Sequence, residues 1–259
     1  MSRSVFTQTL KEQRRGLIGW SIGLAVVPMM YLPSYQSLRD QGSLNLTQNT
    51  MYEAMGLTDF ASATGYLNAT VFSLMGLLLM VIFAVTFATR SVTQEENGML
   101  DLLLAQPIDR KNLLAQRFAA LAVQITVVTS VLTLSVLAGA NSGGLDIAAG
   151  RIVAASAGLG LLALLIGAIT LFLGAATGKR PLTLGFAALV AVAGYLANNL
   201  GGMFDGGEWL RKLSPFYYAN GHSPLVNGAD LGHLAVLVAL AAVVVAAALA
   251  VFDRRDLAV

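Results

Sequence analysis

Six stretches of this chain, about 17–35, 68–89, 115–138, 151–177, 182–203 and 232–252, are apolar over lengths that match a lipid bilayer. Roughly 30 Å of hydrocarbon takes about 20 helical residues to cross. Lipid offers the backbone no hydrogen-bond partners, so each run has to satisfy its own N–H and C=O groups as a helix. The expected fold is an all-α integral membrane protein, with residues 1–259 forming a single transmembrane domain of six spans. The remaining composition agrees: only 12% of residues are charged, about half the share of a soluble domain. Cysteine is absent, which removes disulfides, thiolate metal sites and a cysteine nucleophile from consideration.

Cation placement sets the orientation. With the N-terminus inside, twelve Lys and Arg residues fall on inside segments, whereas Arg39, Arg151, Arg211 and Lys212 fall outside. That asymmetry is the positive-inside pattern, and six spans return "FDRRDLAV" to the same side, so both termini are expected to be cytoplasmic. Between the fourth and fifth spans "GKRP" is short enough to be a tight turn. The first apolar run, preceded by basic residues, also has two of the parts of a signal peptide, although no small-x-small cleavage site follows. Residues 4–15 instead predict an amphipathic helix on the inner surface. Val5, Phe6 and Leu10 would face lipid and Lys11, Arg14 and Arg15 headgroups, before the chain enters the first span at Gly16.

The charged residues can all be placed at span ends or in loops. A proton-coupled carrier needs an ionisable group at depth, and the spans offer only Gln124, Asn198, Asn199 and scattered Ser and Thr, which serve helix association elsewhere. In the fourth span Gly160, Ala163, Gly167, Gly174 and Gly178 recur at steps of three and four, a small-residue stripe suited to packing within the chain or between subunits. The loop 204–231 concentrates Pro215, Phe216, Tyr217 and Tyr218. These form either an interfacial aromatic belt or a re-entrant helix pair at an outer gate. "GAATGKR" is no phosphate loop, because Gly174 and Gly178 are one residue too close and Arg180 stands where Ser or Thr is required. "NLT" and "NAT" at Asn45 and Asn68 are glycosylation sequons that matter only in a eukaryotic secretory setting.

The segment 90–114, "RSVTQEENGMLDLLLAQPIDRKNLL", interrupts the apolar pattern. Thr93 and Glu96 have the spacing of a capping box, which predicts a helix from about Gln94 that ends at Pro107, and Asp109 can cap a second helix leading into span three. A helix this short needs a surface to pack on. Headgroups are one such surface. The acids Glu95, Glu96 and Asp101, however, would be repelled by an anionic leaflet, and so favour a protein partner with an apolar groove and a basic rim.

"EENGMLDLLLAQPIDRKNLLAQR" resembles the E-x-G-x-L-x-x-L-L-x-x-P-x-x-R signature of type-two ABC-exporter permeases, the six-span subunits of bacterial drug, antibiotic and polysaccharide exporters. "LSPFYYANGHSPLVNGADLGHL", followed by a last span and "FDRRDL", is similar to the ending of polyketide-antibiotic and multidrug exporter permeases. The resemblance implies that Glu95, Glu96, Gly98, Leu100, Leu103, Pro107 and Arg110 belong to a coupling helix docking on a separate ATPase. It also implies a bacterial cytoplasmic membrane location, re-entrant outer helices at about 205–230 and outward transport. Asp109 and Lys111 make the setting of Arg110 more charged than in many members, which leaves open which ATPase docks there.

Independently of that resemblance, a nucleotide-hydrolysing domain needs on the order of 150 residues, and the longest stretch outside the spans has about 32 by these boundaries. The expected assembly is two copies, or one copy and a paralogue, in contact with lipid and carrying two ATPase subunits. ATP and Mg2+ would be bound by those subunits, with no cofactor, metal, nucleic acid or catalytic residue on this chain. The expected substrate is amphipathic or hydrophobic. An ion-coupled transporter or channel, and a scaffold that recruits a partner without transporting, are the alternatives.

Overall fold

A computed structural model describes residues 5–41, 62–96, 110–202 and 206–254. These residues are helical almost throughout, with no strand among them. The long helices are α1 (Val5–Tyr31), α4 (Gly76–Glu96), α5 (Arg110–Ser142), α6 (Ala149–Thr177), α7 (Arg180–Leu200) and α11 (Leu231–Arg254). The short helices α2 (Tyr35–Asp40) and α3 (Ala63–Leu67) lie on either side of residues outside the description. A π-helical segment, Asn68–Met75, joins α3 to α4 and completes the second span. Among the described residues six helices are long and apolar enough to cross a membrane, one for each apolar run in the sequence.

Helix α6 is the axis of the bundle, buried along most of its length and packed against α4, α5, α7 and α11. Gly160 meets the Thr129 side chain of α5, and Gly167 meets Leu121 and Ala84. Ala163 and Gly174 are also buried. This stripe therefore contacts neighbouring helices of its own chain. Gly178 lies past the helix end, with φ of 61°, and its left-handed backbone makes the turn that Pro181 follows. By contrast, Leu189 and Val192 on α7 and Val243 on α11 are exposed, as lipid-facing residues are.

Against this axis Trp20 of α1 meets the edge of the Phe83 ring, which lies 4.3 Å from Phe87. Met80 is fully buried in the same core, while Met29 and Met30 are exposed on α1. Pro28 lies inside α1, where it supplies no N–H to the preceding turn. There the Ser135 hydroxyl of α5 donates to the Ala25 carbonyl at 2.6 Å, a polar link of the kind that steadies a proline break in lipid.

The structure corrects two boundaries. The chain does not break at Gly16: α1 is continuous from Val5 to Tyr31. Its first turns pack on the bundle, with Val5 buried among Leu113, Leu114, Ala248 and Phe252 and not facing lipid. The Phe6 N–H donates to Gln116 Oε1, while Lys11, Arg14 and Arg15 remain exposed. At the second boundary, α4 runs unbroken through Thr93 to Glu96, so no new helix starts at Gln94. Extending an existing helix adds one hydrogen bond per residue fixed, whereas starting another requires a fresh nucleus. Residues 97–109, which include Gly98, Leu100, Leu103, Pro107 and Asp109, lie outside the described residues. Arg110 is the first residue of α5.

Candidate functional site

Three short helices, α8 (Glu208–Leu213), α9 (Pro215–Asn220) and α10 (Pro224–Asn227), fill the connection between α7 and α11. Ser214 sets the entry to α9. Its Oγ accepts the Phe216 N–H at 3.2 Å and donates to the Gly194 carbonyl of α7 at 2.7 Å. Pro215 then begins the helix, where its missing N–H has no cost, and Phe216 is buried edge-on to Tyr195. At the far end of α9 the Ala219 carbonyl lies against Gly158 of α6, so close that a Cβ there would stand 2.6 Å from the oxygen. Gly158 is nine residues beyond Ala149, about 13 Å along the helix axis. Helix α9 therefore dips back between the spans.

Of the four aromatic-segment residues singled out in the sequence, Pro215 and Phe216 seat this helix. Tyr217 and Tyr218 stack edge-on at 5.3 Å and flank His233. Trp209, two-thirds exposed, occupies the sort of position an interfacial belt residue does.

Beside α9 is a polar chamber of about 150 Å³, lined by Asn68, Ser73, Tyr195, Asn198, Asn199, Arg211 and Asn220 among others. The Asn220 amide donates to Asn68 Oδ1 at 3.1 Å and to Ser73 Oγ at 3.3 Å, which ties α9 to the π segment of the second span. π-Helical turns recur at functional sites. By sequence Asn198 and Asn199 read as helix-association groups and Asn68 only as part of a sequon. The "NN" pair near the end of an apolar span was the one available signal.

Both histidines meet at the start of α11, which the sequence did not foretell. Asp230 caps that helix: its Oδ1 accepts the Gly232 N–H at 2.8 Å and the His233 N–H at 3.1 Å. Its other oxygen faces His222 Nδ1 at 3.9 Å and His233 Nδ1 at 3.8 Å. The His233 backbone N–H does most to hold the Asp230 carboxyl below its ordinary range. The two imidazoles and the Gly232 N–H add to this, and desolvation opposes it. A depressed carboxyl stabilises the fold above its ordinary pKa of about 3.9, and the contribution is lost as pH falls through the lowered value. Asp230→Ala is accordingly expected to lower the melting temperature at pH 7 and to weaken its dependence on acid. Scans at pH 7 and below the carboxylate range measure both; an equal pH dependence in the two proteins would dismiss this role.

At the opposite end of the bundle the charged residues divide. Lys111 pairs with Asp253 at 3.0 Å, both exposed; such pairs contribute little to stability. Arg90 lies over the Phe87 ring at 4.5 Å. Arg117, an inside anchor by sequence, is instead buried, because the first turns of α1 pack on the bundle and bring Thr9 and Gln13 beside it. Arg117, Gln13 and Gln124 border a cavity of about 20 Å³, enough for one water. Among the described residues Arg117 is the one charged side chain that is buried.

A bundle of six apolar helices among the described residues, with a short helix folded back at one end, is a multi-pass membrane protein. Residues 3–253 match the family model described as "Multidrug efflux system permease Rv1217c, C-terminal domain". The chain belongs to this multidrug efflux permease family. No curated protein matches it.

Proposed function

We propose that this permease is the membrane subunit of an ATP-driven ABC exporter that moves an amphipathic or hydrophobic compound out of the cytoplasm or the inner leaflet. A separate ATPase, present in two copies and binding ATP and Mg2+, docks on residues 94–106. A second permease, identical or a paralogue, completes the path in a bacterial cytoplasmic membrane, with both termini inside. One observation carries the mechanism: the second span is helical without interruption from Ala63 to Glu96. One end of this rod continues into the charged segment, and the other holds Asn220 of α9 through Asn68 and Ser73.

In this mechanism, closure of the ATPase pair displaces residues 94–106. The rod moves with them, and its π segment shifts α9 and so opens or closes the far end. The described residues also support ATP over ion coupling, since no carboxylate is among their buried side chains and a proton carrier at depth requires an ionisable group.

Purification from native membranes tests the assignment. A co-purifying chain with Walker A and Walker B motifs is expected, and vesicles containing both should export an amphipathic dye only with ATP. Dye transport by the permease alone, driven by an ion gradient, would replace this function with a secondary transporter.

A further inference from the structure

Two buried polar atoms on residues lining the chamber beside α9 have no hydrogen-bond partner: Asn198 Oδ1 and Arg211 Nε. Each such atom costs about 1–3 kcal/mol when left unsatisfied, so two around one cavity describe a site that is incomplete when empty. A cavity of about 10–15 Å³ in the same measure holds one water, and the chamber has about 150 Å³, room for a polyatomic group.

The lining determines which group. Among the described residues no carboxylate lines the chamber. The one cation among them is Arg211, whose guanidinium lies 5.5 Å from the centroid of the Tyr217 ring and whose planar fork suits phosphate oxygens. Asn198 Oδ1 asks for a donor from the ligand. A phosphate with a hydroxyl or ammonium group close by meets both.

Position points to the source. Helix α7 has 21 residues, about 31 Å, which is one bilayer core. Asn198 and Asn199 stand at its very end, at headgroup depth. Leu189, Val192 and Leu196 are exposed along the same helix, where acyl chains can lie.

We infer that this chamber binds the phosphodiester headgroup of a membrane lipid, with Arg211 on the phosphate and Asn198 on the hydroxyl or ammonium. The site stands apart from the exporter assignment and holds whichever energy source drives the protein.

The full chain carrying Trp20→Phe, which leaves Trp209 in α8 as its single tryptophan, is titrated in detergent with short-chain phosphatidylglycerol or phosphatidylethanolamine and followed by tryptophan fluorescence. Saturable binding is expected, weakened at least tenfold in Arg211→Gln and unchanged in Lys212→Gln, whose native side chain is exposed and pairs with Glu208. Asn198→Ala guards against misfolding. Its Oδ1 has no internal partner, so lipid-free thermal stability should hold while lipid binding weakens. Inorganic phosphate is the second probe: binding of phosphate as tight as that of lipid, with the same Arg211 dependence, would overturn the lipid assignment in favour of a soluble anion. No saturation with either probe, or equal affinity in Arg211→Gln, would leave the chamber as a water-filled void and overturn the site.

Discussion

Gly158→Leu is expected to lower stability by on the order of 1–3 kcal/mol and to reduce dye efflux at least tenfold. A Cβ at this position stands 2.6 Å from the Ala219 carbonyl oxygen. That oxygen is backbone and cannot swing aside as a side-chain end does, so the short helix α9 has to move as a unit. Asn220, the next residue, would then withdraw from Asn68 and Ser73, its partners at 3.1 and 3.3 Å. The polar link between α9 and the second span would be lost, leaving buried amides without partners. Gly150→Leu is the control, because the same helix offers open space at Gly150 and both stability and efflux should stay at wild-type levels. Thermal melting of the purified protein and efflux from vesicles read the two effects separately. Wild-type behaviour of Gly158→Leu in both assays would show that α9 is not seated against α6.

Gly98→Pro and Glu96→Lys are expected to leave expression, membrane insertion and melting temperature near wild type while cutting transport-stimulated ATPase activity roughly tenfold or more, about 1.4 kcal/mol of lost coupling. Under the proposed coupling, proline at Gly98 removes a backbone donor within the segment on which the ATPase docks, and lysine at position 96 reverses the charge that suits a basic rim. The cost should fall on coupling and leave the packing of the spans intact. Full coupled activity in either variant would remove the 94–106 segment as the docking element.

The differing origins of these two predictions separate what was legible in the sequence from what was not. The Gly98 prediction rests on a motif and on charge sorting, both one-dimensional. The Gly158 prediction rests on an approach between residues about sixty apart, and nothing in "SAGLG" distinguishes Gly158 from Gly160 until a backbone carbonyl is found facing one and the Thr129 side chain the other. Likewise the Thr93 spacing fits a capping box, but a capping box operates only where a helix begins, and here one was already running.

The spans and the turn at Gly178 were determined by the sequence alone, because lipid leaves an apolar run no alternative to a helix and a left-handed cap favours glycine. The inward dip of α9, the meeting of His222, His233 and Asp230, the burial of Arg117 beside α1 and the chamber of Asn198, Asn199 and Arg211 were decided by tertiary structure. Each depends on which faces of separate helices meet, and that is settled by packing across the whole bundle, which local periodicity does not encode.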